Sequence, residues 1–196
     1  MDEIKSAREI ALAKTAELGE TTEDERLKWK YTPEGEKLAA KCLNGKIDLN
    51  AELSRHKEKG KRYVVKGAEK VLIVNISLPK NDMVKSKNKK AMDALMSLKN
   101  DKESVKKVFE DIGHVFDHYN NQGEPQRHQA YESIKARFVS AMRQALEKQA
   151  GSLRGIEINV ESLPQFQEEW RRTLAQLDSQ YIELLEGYKQ KLKGID

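Results

Sequence analysis

The sequence predicts a predominantly all-α protein, an antiparallel helical bundle that ends in a long coiled-coil-like helical hairpin. Three observations carry that expectation. Charged residues are 35% of the chain against 38% hydrophobic, a balance suited to helices that bury only a narrow apolar stripe. Only 4 prolines occur in 196 residues, so little interrupts a helical ladder. Apolar side chains then recur every three or four positions from Phe166 to Leu192, a heptad-like seam sustained over one helix.

The organisation follows in chain order. Residues 1–100 form an N-terminal helical region with a basic middle, and residues 101–196 form the long hairpin, the two making one continuous unit. A first amphipathic helix is expected from Glu3 to Leu18, stopped by Gly19. Thr22 with Glu25 three residues on is a capping-box pattern for a short helix through Trp29. Thr32-Pro33 opens the next helix, Thr as cap and Pro where its missing N–H does no harm. Asn44-Gly45 ends it, and Asp48 caps a segment carrying Leu49 and Leu53.

Tyr63 to Leu78 reads two ways. Val64, Ala68, Val71, Leu72 and Ile76 follow helical spacing, while the β-branched content admits a small hairpin over 62–78 that turns at Gly67. Helix is favoured, and Pro79 limits either element. Lys80 to Lys90 reads as a polar loop, followed by a short helix with Ala91, Met92, Leu95, Met96 and Leu98.

The tail is clearer. Val105, Val108, Phe109, Ile112, Val115, Phe116 and Tyr119 form one stripe, and Asn120-Asn121-Gln122-Gly123 breaks it. Tyr131, Ile134, Phe138, Met142, Ala145 and Gln149 mark the next helix. Gly151 to Ser162 is a loop with a short alternating piece, Ile156 to Val160, and Ser162 caps the last helix. That helix folds back on the Tyr131–Gln149 helix. Its seam is Phe166, Trp170, Leu174, Leu177, Tyr181, Leu184, Tyr188 and Leu192.

No named catalytic chemistry emerges, so the chain reads as a non-enzymatic protein without a cofactor. Glu110, His114 and His118 share one helical face at four-residue steps, the spacing at which imidazoles can chelate a metal. The same wheel turns them away from the apolar stripe, so they read as a solvated face. The middle of the chain is basic: 14 Lys or Arg stand against 5 Asp or Glu between Ser54 and Lys102. Arg55, Lys57, Lys61 and Arg62 form one cluster, and Lys85, Lys87, Lys89 and Lys90 another. Such clusters neutralise phosphates, but few aromatics accompany them and no nucleic-acid-binding motif does. Nucleic acid is therefore not the favoured partner, and docking of the basic patch on an acidic surface is the blander reading. Cys42, the single cysteine, lies on an apolar face and reads as a small hydrophobe in a cytoplasmic protein. Trp29 and Trp170 read as core or seam anchors. No apolar run approaches the about 20 residues needed to span a bilayer. The function expected from these features is interaction: the long helices join a second copy of the chain, giving an oligomer, or a helical protein partner.

Overall fold

The computed structural model describes residues 21–150 and 159–196. It is all-α, an antiparallel bundle with no strand among the described residues. In chain order the helices are α1 (Glu23–Leu43), α2 (Leu49–Leu53), α3 (Glu58–Asn75), α4 (Asp82–Leu98), α5 (Lys102–His118), a π-helical turn (Tyr119–Gly123), α6 (Glu124–Ala150) and α7 (Pro164–Gly194). No described helix is long and apolar enough to cross a membrane. The expected helix at Glu3–Leu18 and most of the Gly151–Ser162 segment lie outside the described residues.

Helix α1 opens on the capping box read from the sequence: Glu25 N–H donates to Thr22 Oγ1, and Thr22 N–H donates to the Glu25 carboxylate at 2.9 Å. It does not stop at Trp29, and Thr32-Pro33 does not start a new helix; Pro33 lies inside α1. An interior proline leaves the Trp29 carbonyl without its helical donor and costs about 3 kcal/mol in isolation. The contact of α1 with α3 offsets that cost. A Cβ on Gly35 would overlap the Val64 carbonyl, and one on Gly67 would overlap the Thr32 carbonyl. At these two glycines the helices touch backbone to backbone, with Ala39 and Ala68 fully buried in the same core. Trp29 is no anchor; it is two-thirds exposed.

The favoured helix for 62–78 is what forms, α3 running to Asn75, and the hairpin alternative does not occur. The chain then runs extended from Ile76 to the Pro79 region, with Ile76 and Leu78 buried. Buried Asn88 holds this strap from α4: Ser77 N–H donates to Asn88 Oδ1 at 3.0 Å, and Asn88 Nδ2 donates to the Ser77 carbonyl at 2.6 Å. The Lys80–Lys90 stretch is not a loop. Asn81 caps α4, accepting from Val84 N–H at 2.9 Å, and the lysines ride on the first turns of that helix. Lysine is a good helix former, and the buried faces of Asn88, Ala91 and Leu95 hold those turns to the core.

The tail forms the expected hairpin with a different partition. Asn120–Gly123 does not break the chain; it widens into the π-turn, so α5 and α6 join into one rod over residues 102–150. Pro125 lacks an N–H, and a π-turn absorbs the resulting mismatch in the ladder. Helix α7, about 46 Å long at 1.5 Å per residue, runs antiparallel along this rod. Its first half packs on α6, with Phe166 edge-on to Tyr131 and Phe138. Its second half packs on α5, and beyond it Asn100 and Asp101 donate backbone N–H groups to the Asp196 carbonyl. Ser162 does not cap α7: Leu163 occupies that position without a side-chain bond, Pro164 follows, and Ser162 donates instead to the Asn159 carbonyl.

Substitution at the glycines tests this packing. Gly35→Ala is expected to lower stability by about 3 kcal/mol, the upper end of overpacking penalties, because backbone must move. Gly187→Ala, whose Cβ would meet nothing within 4 Å, is expected to raise stability by about 0.5–1 kcal/mol through helix propensity. Urea unfolding of both variants checks the pair.

Candidate binding cleft at the π-helical turn

The π-turn places unusual chemistry where the rod, α7 and the α3–α4 strap meet. It turns Tyr119 and Gly123 inward, and both are buried. Four residues after Gly123, Arg127 returns to the same face. Its guanidinium carbon stands 3.9 Å from the centre of the Tyr119 ring, and its Nη2 donates to the Tyr119 carbonyl at 3.2 Å. Gly123 is what admits it: a Cβ there would sit 2.7 Å from Arg127 Nη1 and 3.2 Å from the Tyr181 hydroxyl.

Opposite lies Asp178 of α7, an acidic residue 1% exposed. Lys80 Nζ pairs with its Oδ2 at 2.8 Å, and Arg127 Nη1 stands 3.8 Å from its Oδ1. Neither carboxylate oxygen accepts a well-oriented hydrogen bond from the protein, and Arg127 Nη1 donates none. Burial first, and the Asp178 charge second, push the Tyr119 phenol up to about 12.

Above this charged floor opens a cleft of about 470 Å³. Tyr131, Trp170, Leu174 and Pro79 give its apolar and aromatic walls; Lys80, Lys85, Arg127 and His128 give its basic side, and Glu124 is the carboxylate on its lining. Tyr131 and Trp170 meet edge to face at 5.1 Å. A second depression of about 330 Å³ adjoins it and shares Pro79, Lys85 and Asn120; Met92, Phe109 and Phe116 form its apolar floor, with Lys85, Lys89 and Asp93 at its edge.

The residues singled out in the sequence fall in different places. On α7, Phe166 and Leu192 are buried, and Trp170, Leu174, Leu177, Tyr181 and Tyr188 are half-buried against the rod. Leu184 is 53% exposed and stands outside the packed stripe; Leu185, 3% exposed, takes its place. The heptad spacing picked the wrong member because a straight helix repeats at 3.6 residues. Glu110, His114 and His118 are all exposed, and no group of three or more His, Cys, Asp or Glu is gathered for a metal among the described residues. His118 Nδ1 instead lies 3.0 Å from the Tyr181 hydroxyl.

Much of the basic middle meets acidic groups of the same chain. Arg62 pairs with Asp24, Lys59 with Glu23 at 3.3 Å and Lys70 with Glu36 at 2.8 Å, all between α3 and α1. Arg55 pairs with Glu52, Lys61 with Glu58 and Lys85 with Asp82 inside their own segments. Lys57, Lys87, Lys89 and Lys90 are exposed. Cys42 packs half-buried against the core, and burial pushes its thiol up. Of the cleft's lining, the sequence marked Trp170 and Leu174 as seam, Tyr131 as stripe and Lys85 as part of a basic cluster, but it did not mark Lys80, Arg127 or Asp178 or bring these residues together. An aspartate interrupting an amphipathic seam was the one available signal, since Asp178 follows Leu177 on the buried side of α7.

The raised Tyr119 phenol has a measurable consequence. The folded form holds its proton through the range in which an unfolded tyrosine, near 10, releases it. The associated stability is therefore present below about pH 10 and lost as pH climbs toward about 12, by about 2–3 kcal/mol. Tyr119→Phe is expected to remove that part of the alkaline loss, and to delete the highest phenol transition from an absorbance titration; an unchanged titration would place the transition on another tyrosine.

No curated protein and no solved structure matches the chain. Residues 50–194 match the model of a family of unknown function, DUF6657, and the match covers well over half of the sequence. It includes every residue lining the cleft, from Pro79 to Leu174, and Asp178 beneath it. The chain belongs to this family.

Proposed function

We propose that the chain is a non-enzymatic helical interaction protein that receives one acidic amphipathic helix of a protein partner in the slot between α4 and α5. The observation that supports this reading is the composition of that slot. Met92, Phe109 and Phe116 are partly buried apolar side chains on an open floor, and Lys85 and Lys89, one turn apart on α4, stand along its edge, with Asp93 as the one carboxylate on the lining. A helix that lays apolar anchors into such a groove gains by burying them, and acidic side chains beside the anchors meet the two ammonium groups. The α7 stripe contributes less to recognition than its sequence suggests, because most of it already closes on the chain's own rod.

Synthetic helical peptides test the reading. Two peptides would carry the same three leucines on one face, flanked by Glu in one and by Lys in the other. The Glu-flanked peptide is expected to bind about tenfold more tightly or better, and the Lys85→Glu, Lys89→Glu double variant to reverse that order. Equal binding of both peptides, or binding of neither, contradicts the reading. So does a dimer in light scattering that the double variant leaves intact, which would make a second copy the occupant.

A further inference from the structure

We propose that the cleft at the π-turn is a ligand site for a small aromatic oxyanion, a planar ring bearing a carboxylate or a phosphate. This does not rest on helix docking at the neighbouring slot, with which the cleft shares Pro79, Lys85 and Asn120, and its test uses Lys80 and His128, which that slot does not need.

The size and lining define the class. A volume of about 470 Å³ falls within the range of small-molecule sites, which are mostly apolar with a few convergent polar groups. Tyr131 and Trp170 stand edge to face and leave half-buried aromatic surface to the cleft, closed by Leu174 and Pro79. Such walls favour a flat ring.

The charge layout defines the rest. On the lining, Lys80, Lys85 and Arg127 carry three positive charges against one carboxylate, Glu124; Asp178 answers Lys80 and Arg127 from beneath, and Asp82 pairs with Lys85 at 3.3 Å from outside the lining. Asp178 is 1% exposed and sits behind the lining, so it does not meet a ligand directly. It acts as an anchor instead. Its Oδ2 holds Lys80 Nζ at 2.8 Å, while that lysine is still half-exposed at the mouth. An ammonium held in place loses less side-chain entropy when an anion arrives. Arg127, pinned between the Tyr119 ring and the Tyr119 carbonyl, stands near the other oxygen of Asp178 and is mostly buried, so the half-exposed Lys80 and Lys85 are the cations an arriving ligand meets. A cationic ligand would face Lys80, and a neutral one would leave the exposed sides of the Lys80 and Lys85 ammonium groups to water. An oxyanion joined to a ring satisfies both the walls and the mouth.

Fluorescence of Trp170 reads the site directly. The chain has 2 tryptophans, and Trp29→Phe removes the exposed one away from the cleft. In that background, phenyl phosphate, benzoate, benzamide and inorganic phosphate would be titrated separately. Either aromatic anion is expected to change Trp170 emission saturably, with benzamide and inorganic phosphate about tenfold weaker or more. The order of phenyl phosphate and benzoate tells which oxyanion the site prefers. Lys80→Gln is expected to weaken the preferred ligand about tenfold and, because it takes from Asp178 its nearest cation, to lower the unfolding midpoint while the circular dichroism spectrum at the assay temperature stays that of the folded helical chain; His128→Ala, which touches no buried charge, is expected to weaken it several-fold with the midpoint close to that of the parent. Benzamide binding as tightly as benzoate overturns the proposal. So does the absence of saturation by both aromatic anions up to about 10 mM, an affinity of only about 3 kcal/mol. Unchanged binding in both folded variants overturns it as well.

Discussion

A single buried acid, Asp178, ties together the elements that shape the described surface. Taking a carboxylate out of water is expensive, and the expense is tolerable only where cations stand close by. Asp178 draws them from two different places: Lys80 from the strap between α3 and α4, and Arg127 from the first turns of α6. Its position therefore fixes the register of α7 along the rod, the place of the strap beside it, and the orientation of Arg127 across Tyr119. Both depressions lie around this point because both are bounded by Pro79 and Lys85, residues on either side of Lys80.

The remainder of the bundle is assembled on a different principle. Helices α1 and α3 approach until their backbones touch at Gly35 and Gly67, and ion pairs flank that contact at Glu23, Asp24 and Glu36. Exposed pairs of this kind contribute little individually. Their arrangement nonetheless gives Lys59, Arg62 and Lys70 of the basic middle acidic partners on α1, so the two helices are complementary in charge where they pack together. The close contact also explains how a proline is carried inside a helix, since packing on α3 holds the turns on either side of Pro33.

Helix identity was legible where a stripe of apolar side chains had one clear period, as in Val105–Phe116 and Phe166–Tyr181. Caps carried by a side chain and its near neighbour were legible too, as at Thr22 and Asp48. What the sequence hid has physical reasons. Pro33 and Asn120–Gly123 look like stops because local rules treat proline, glycine and asparagine as breakers, yet tertiary contact at one site and a π-turn at the other keep the chain helical. Lys85–Lys90 looks like loop because its polarity is visible and its single buried row, through Asn88 and Ala91, is sparse. The cleft was invisible for a stronger reason. Lys80, Tyr119, Arg127 and Asp178 are spread over about half of the sequence and meet only through the long-range pairing of α7 with the rod.

A double-mutant cycle on Arg127 and Asp178 tests the organising role of that buried acid most directly. Asp178→Leu and Arg127→Met would be made singly and together, and stability measured by urea unfolding. The expected result is that each single change destabilises by about 3 kcal/mol or more, whereas the pair loses much less than the sum, a coupling of at least about 1 kcal/mol. Effects that add to within about 0.5 kcal/mol would contradict it, and would mean that Asp178 and Arg127 stand near each other without holding the structure together.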